Sequence, residues 1–67
     1  MIIIYNDEIT KLPNDFMTVA DLAEWKNLKN QGTAIAVNDL LIPKTKWSVT
    51  HLKEQDRVTV ITAAYGG

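Results

Sequence analysis

The residues of this 67-residue sequence that most clearly could take part in a reaction are its last two, Gly66 and Gly67. A glycine pair has no Cβ atoms, so it can pass extended through a gap that other side chains would block. The α-carboxylate of Gly67 is expected to be ionised at neutral pH, because its unperturbed pKa is about 3.3–3.7. Attack of such a carboxylate on the α-phosphate of a nucleotide would make it an activated acyl-adenylate. The ending indicates a carrier of an activated group, with a frayed terminus as the alternative.

Conventional catalytic groups are sparse in the rest of the sequence. The single histidine, His51, lies three positions from the single serine, Ser48. Nothing marks the orienting acid and the oxyanion site that a triad also needs, so we interpret His51 as a surface or packing residue. The sequence has no cysteine, no histidine-based metal motif and no glycine-rich phosphate loop. We therefore predict a protein that is not an enzyme and binds no metal.

Length and composition favour one small globular domain. A content of 46% hydrophobic and 22% charged residues is close to the globular average, which argues against disorder. The net charge is −1 and the basic residues are only a weak nucleic-acid signal, which favours a solvated face. The apolar runs are far shorter than the roughly 20 residues of a membrane helix, and the first residues do not resemble a signal peptide. We expect a cytoplasmic protein with neither nucleic-acid nor membrane partners.

Turn and strand signals predict the element order β-β-α-β-β-β. The predicted strands cover residues 2–5, about 8–12, 34–37, 40–42 and 57–62. Residues 44–53 are expected to be irregular or to form one helical turn, anchored by Trp47 and Leu52. One helix among strands with a single sheet face to cover indicates an α+β fold. In such a fold the chain can return through the helix so that the first and last strands lie side by side.

The helix signal begins at Thr18, an expected N-cap with Asp21 completing a capping box. Gly32 lies where a left-handed C-terminal cap is expected. The helical periodicity weakens earlier, however, so the helix could also end near Asn27. Whether Trp25 packs in the core or contacts a partner is left open.

Several motifs together resemble the ThiS family of sulfur carriers. They are Ile3-Ile4-Tyr5-Asn6, Thr18-Val19-Ala20-Asp21-Leu22, Val37-Asn38, Ile42-Pro43, Trp47, Asp56 and the terminal Gly66-Gly67. The resemblance implies a β-grasp (ubiquitin-like) fold, with a mixed sheet packed on one helix in a single domain spanning residues 1–67. It also implies a flexible tail at 63–67. The sequence departs from the family at Gln55, where glycine is usual, and at Tyr65, where a smaller residue is common.

The same resemblance implies a carrier chemistry in which the chain binds no cofactor of its own. A ThiF-type adenylyltransferase would use ATP and Mg to convert the Gly67 carboxylate to an acyl-adenylate. Sulfur from a persulfide donor would displace AMP and leave a thiocarboxylate, which a ThiG-type thiazole synthase would use in thiamin biosynthesis. Ala64, Tyr65 and Gly66 would thread into the partner's active site. The alternatives are the small subunit of molybdopterin synthase, a ubiquitin-like modifier forming isopeptide bonds through Gly67, and an interaction domain with an inert tail.

Alternation along the strands predicts a binding surface on the side of the sheet away from the helix. In the last strand, Val58 and Val60 are expected on one face and Thr59 and Ile61 on the other. A contiguous apolar patch on a small protein usually marks a contact site. The resemblance to the family implies which residues of the first and third strands face away from the helix. The predicted partner-binding patch then consists of Ile2, Ile4, Ala34, Ala36 and Ile61. A slip of one residue in a strand would invert its assignment. Trp47 is expected in the core.

Overall fold

The computed structural model describes residues 1–29 and 31–62. The elements are β1 Ile2–Tyr5, β2 Glu8–Lys11, α1 Val19–Trp25, β3 Thr33–Val37, β4 Leu40–Ile42, a 3-10 helix Lys44–Val49 and β5 Arg57–Thr62. The predicted order is confirmed, with differences of one residue at the end of β2 and the start of β3. The predicted tail at 63–67 lies outside the described residues. In the part of the chain that the structure describes, no helix is long and apolar enough to cross a membrane.

The five strands form one mixed sheet in the order β2-β1-β5-β3-β4. The first and last strands are parallel neighbours, with Ile4 opposite Arg57 and Tyr5 opposite Val58. The other pairs, β1–β2, β3–β4 and β3–β5, are antiparallel. This arrangement confirms the predicted α+β fold and places β5 at the centre of the sheet.

Both hairpins turn through an Asn-Asp pair in the left-handed region of the backbone. The φ angles are 47° and 67° at Asn6 and Asp7, and 51° and 69° at Asn38 and Asp39. Positive φ at both central residues is what a type I′ turn requires, and this turn matches the twist of the two strands it joins. Asn and Asp tolerate that conformation better than most residues. The two turns therefore fix the registers of β1–β2 and β3–β4.

The helix begins as predicted. The Thr18 side-chain oxygen accepts a hydrogen bond from the Asp21 N–H at 3.1 Å, and the Asp21 carboxylate accepts one from the Thr18 N–H at 3.0 Å. This reciprocal pair is a complete capping box, which satisfies two donors that the first turn of a helix leaves unpaired.

The last residue of the helix is Trp25, and the left-handed residue that follows the C-cap is Asn27 rather than Gly32. Asn27 has a φ of 56° and donates to the Glu24 carbonyl, while the Leu28 N–H donates to the Ala23 carbonyl at 2.8 Å. These two bonds form a Schellman motif, in which asparagine takes the left-handed position usually given to glycine. The prediction of Gly32 as the cap was therefore wrong, and the alternative of a helix that ends near Asn27 is confirmed. Gly32 has a φ of 76° and lies just before β3.

One apolar core fills the space between the helix and the sheet. Its buried members are Ile3, Leu12, Met17, Val19, Leu22, Ala23, Ile35, Ile42, Trp47, Leu52, Val58 and Val60. The Trp47 ring N–H donates to the Ile42 carbonyl at 2.9 Å, so this side chain is buried without leaving its donor unpaired. Trp47 is confirmed as a core residue, with Leu52 beside it in the core. Trp25 is 44% exposed and lies at the surface.

The turn before β5 contains the departure from the family pattern at Gln55. Its φ of 66° lies in the region that favours glycine, so the backbone keeps a glycine-like shape despite the side chain. The next residue, Asp56, is buried. Its carboxylate accepts hydrogen bonds from the Lys53 N–H at 2.7 Å and from the Asn38 side-chain amide at 2.9 Å. Strand β5 therefore begins at an anchored turn.

Candidate functional site

The residues of the predicted carrier tail, Ala64, Tyr65, Gly66 and Gly67, lie outside the described residues. The structure instead shows the strand that leads to them. Strand β5 ends at Thr62 and pairs with β3 from Val58 to its last residue, where Thr62 is opposite Thr33. Thr62, the last described residue before the tail, is therefore held in the sheet by its pairing with β3.

The side chains of β5 alternate as the sequence predicts. Val58 and Val60 are buried against the core, whereas Thr59 and Ile61 are exposed on the opposite face. Alternation in β1 and β3 agrees, because Ile3 and Ile35 are fully buried. The sheet therefore has a core face covered by the helix and an open face.

The predicted patch residues share that open face. Ile61 is 63% exposed and lies opposite Ala34 on β3. Ile2 is exposed, whereas Ile4, Ala34 and Ala36 are half-buried by their neighbours in the sheet. The structure thus brings the five residues onto one side of the sheet. Their role in binding a partner stays a prediction.

Two larger apolar residues on the open face were missed from the sequence. Ile9, 82% exposed, lies opposite Ile4, and Leu41, 64% exposed, lies opposite Ala36. Cross-strand partners in an antiparallel pair project to the same side of the sheet. The signal was available, because carrying the alternation into β2 and β4 would have placed both side chains on this face.

The groups considered for conventional catalysis stay apart from the open face. His51 is exposed, its ring centroid is 4.6 Å from that of Phe16, and its backbone forms an isolated bridge with Thr18. This is a packing role at the surface, as interpreted from the sequence. Across residues 1–29 and 31–62, no three His, Cys, Asp or Glu side chains form a group that could hold a metal ion.

Comparison with known proteins shows the family to which the chain belongs. A model described as the ThiS family matches residues 3–67, which is nearly the whole chain. The chain belongs to the ThiS family. ThiS proteins are small sulfur carriers rather than enzymes, and the resemblance to this family is confirmed.

Two further proteins are similar to this ThiS-family chain. A protein of Pyropia yezoensis named uncharacterized protein ycf40 is 35% identical over 46 residues. The match covers 69% of this chain and 65% of that protein, slightly less than two thirds of the relative's length. The solved structure of the thiamine biosynthesis protein (ThiS) from Geobacter metallireducens superposes with a TM-score of 0.85 over 100% of both chains. At 16% identity, that similarity establishes the β-grasp fold.

The open face of this ThiS-family chain also carries positive charge. Lys11 lies opposite Ile2, and Arg57 lies opposite Ile4 in the parallel register, so both project to the same side as the apolar patch. Both are exposed. An apolar surface flanked by cations is complementary to a partner surface that combines apolar and acidic side chains.

Proposed function

We propose that this chain carries sulfur for the thiazole of thiamin, holding it on the carbonyl carbon of Gly67. The observation that carries the proposal is the family match, which continues to residue 67 and so includes the Gly66-Gly67 pair. The sequence has no cysteine on which sulfur could be held instead.

Activation begins with attack of the Gly67 carboxylate on the α-phosphorus of Mg-bound ATP in a ThiF-type enzyme, which releases pyrophosphate. The terminal sulfur of a persulfide then attacks the carbonyl carbon of the acyl-adenylate and expels AMP, giving an acyl disulfide. A second thiol attacks the donor's sulfur, so that a disulfide leaves and the thiocarboxylate remains on Gly67. A ThiG-type synthase accepts that sulfur into the thiazole ring. ATP, Mg and the persulfide belong to the partners in this scheme.

The position of β5 supports this chemistry. Five residues separate Thr62 from the end of the sequence, and fully extended they reach about 17 Å. That reach allows the carboxylate to enter a buried active site while the folded domain stays outside. The tail residues Ala64, Tyr65 and Gly66 would line the route, with Gly66 at the narrowest point because it has no side chain.

The open face of the sheet is the surface that we propose both partners contact. Its predicted members Ile2, Ile4, Ala34, Ala36 and Ile61 are joined in this proposal by Ile9 and Leu41. Apolar side chains exposed together in this number favour a contact site over solvent exposure. One surface used by two enzymes would require the carrier to leave the first before it meets the second.

Intact-mass spectrometry tests the chemistry directly. The chain is incubated with a cognate ThiF-type enzyme, Mg-ATP and a persulfide donor, and we expect replacement of one oxygen by sulfur at the terminus. A chain lacking Gly67 is the control and should not gain sulfur. Adenylation followed only by lysine adducts would favour a ubiquitin-like modifier, and a wild-type chain that is never adenylated would refute the proposal. Transfer of the sulfur to a molybdopterin synthase rather than to a thiazole synthase would favour the role of a molybdopterin synthase small subunit.

The surface is tested with two variants matched in exposure. Ile61 and Val49 are each 63% exposed, but Val49 lies on the 3-10 helix rather than on the open face. Ile61→Asp should raise the KM for adenylation about tenfold, because a carboxylate would replace an apolar contact. Val49→Asp should leave the KM unchanged. Equal effects of the two variants would remove the open face from the binding surface.

A further inference from the structure

The side chain of Asn6 makes two hydrogen bonds with the backbone of a single β5 residue. Its Oδ1 atom accepts from the Val60 N–H at 2.7 Å, and its Nδ2 atom donates to the Val60 carbonyl oxygen at 3.3 Å. The backbone N–H of Asn6 donates to the Val58 carbonyl at 2.9 Å. An amide that both accepts from and donates to one residue reproduces the pairing that a neighbouring strand would give.

Strand β5 needs this substitute because it extends beyond β1. The register between the two strands ends at Tyr5 and Val58, whereas β5 continues to Thr62. The chain leaves the sheet at Asn6, where φ is 47° and the hairpin turn begins. At this point the backbone of β1 turns away from β5, and the side chain of Asn6 takes its place beside the strand.

We propose that Asn6 is a positioning residue that keeps the end of β5 in the sheet and so fixes the point from which the carrier tail extends. The inference rests on the proposed function, since it concerns how the Gly67 carboxylate is presented. With the Asn6 contact, the tether comprises residues 63–67. Without it, residues 60–62 keep β3 as a partner on one side, but Val60 loses the two hydrogen bonds that Asn6 makes with it on the other side, and the tether can lengthen to 60–67.

A longer tether presents the carboxylate less effectively. The effective concentration of a tethered group falls roughly as the −3/2 power of tether length, so the change from five to eight residues lowers it about twofold. Loss of the two hydrogen bonds should make local opening of the strand end about tenfold more frequent. Asn6 would thus act on the KM for the carrier, with kcat unchanged because the same carboxylate reacts once it is seated.

The test compares Asn6→Gly with Asn38→Gly. Glycine tolerates the positive φ at both sites, so each hairpin turn is kept and only the amide is lost. Asn38 is the matched control because it occupies the same turn position in the second hairpin and contacts β5 at its other end, through the Arg57 N–H at 2.9 Å. The milder variant Asn6→Asp keeps an acceptor for the Val60 N–H and loses the donor.

The first measurement needs no partner enzyme. Amide hydrogen exchange at Ile61, divided by that at Ile35 in the core of β3, reports opening at the end of β5 separately from global unfolding. The ratio should rise about tenfold in Asn6→Gly, less in Asn6→Asp, and not in Asn38→Gly. An unchanged ratio in Asn6→Gly would show that Asn6 does not hold the strand end, which overturns the proposal.

The second measurement is adenylation of Gly67 by the ThiF-type enzyme, at a temperature where all variants are folded. We expect the KM to rise by up to about twofold in Asn6→Gly, with intermediate behaviour of Asn6→Asp and a wild-type value in Asn38→Gly. If Asn6→Gly showed faster exchange but the same KM as Asn38→Gly, the role of Asn6 would be purely structural. This result would refute the proposal that Asn6 positions the tail. Failure of the wild-type chain to be adenylated would instead refute the proposed function, while the exchange ratio would still decide whether Asn6 holds β5.

Discussion

Replacement of Asn38 by glycine is expected to destabilise the fold, although glycine suits the backbone better at this position. The side chain of Asn38 makes two contacts that glycine cannot make. Its Nδ2 atom donates to the buried carboxylate of Asp56 at 2.9 Å, and its Oδ1 atom accepts from the Arg57 N–H at 2.9 Å. These contacts join the β3–β4 turn to the start of β5, across 18 or 19 residues of sequence.

The size of the effect follows from these contacts. A hydrogen bond to a charged group contributes about 1.5–3 kcal/mol and a neutral one about 0.5–1.5 kcal/mol, so the two together contribute roughly 3 kcal/mol. Glycine at a φ of 51° returns at most about 1 kcal/mol of backbone strain. The free energy of unfolding should therefore fall by about 2 kcal/mol. For a domain of this size that corresponds to a loss of about 8–16 °C in Tm.

Asp39→Gly is the control within the same turn. Asp39 has a φ of 69°, so glycine relieves strain there too, and the Asn-Gly pair that results is the favoured type I′ sequence. We expect this variant to be unchanged or up to about 1 kcal/mol more stable. Urea unfolding followed by tryptophan fluorescence gives both free energies. If Asn38→Gly were as stable as Asp39→Gly, the Asn38–Asp56 contact would contribute nothing and the reasoning would be wrong.

Three further predictions concern single groups in the domain. Gln55→Gly should raise the free energy of unfolding by about 0.5–1 kcal/mol, because glycine adopts a φ of 66° without strain; a loss of stability in urea unfolding would contradict this. Trp47→Phe should cost about 2–3 kcal/mol, because it removes the hydrogen bond to the Ile42 carbonyl and leaves a gap in the core; a thermal melt checks it. Burial raises the pKa of Tyr5, so in an absorbance titration of a Tyr65→Phe variant its hydroxyl should ionise at a higher pH than a free tyrosine. The stability that the neutral hydroxyl contributes should be lost as pH rises through that raised pKa.

Local sequence patterns predicted most of the fold because most elements here are locally determined. Strand β5 has six residues rich in β-branched side chains, and its predicted bounds agree with the structure. Thr18 and Asp21 form the capping box that their spacing indicates. The burial of Ile3 and Ile35 follows from alternation alone once one face of the sheet is covered.

The end of the helix shows where local preference is insufficient. Gly32 was the better candidate by residue type, but the Schellman bonds form at Asn27, which lets Leu28 pack against the core. Packing therefore overrode the intrinsic preference for glycine. The missed residues Ile9 and Leu41 have a different origin. Alternation was not carried into these short strands, β2 and β4, although it would have placed both side chains on the open face.

The two Asn-Asp turns show what a turn signal leaves undetermined. Sequence predicts a turn at Asn6 and at Asn38, since asparagine tolerates positive φ, but glycine would satisfy that requirement at least as well. In the folded chain both asparagine side chains reach β5, Asn6 at Val60 and Asn38 at Arg57. The first turn follows β1 and the second follows β3, and these two strands are the neighbours of β5 in the sheet. The first position of each turn therefore has a second requirement, which only a side chain with both a donor and an acceptor meets. The second turn position has no such contact among the described residues, and glycine should be acceptable there.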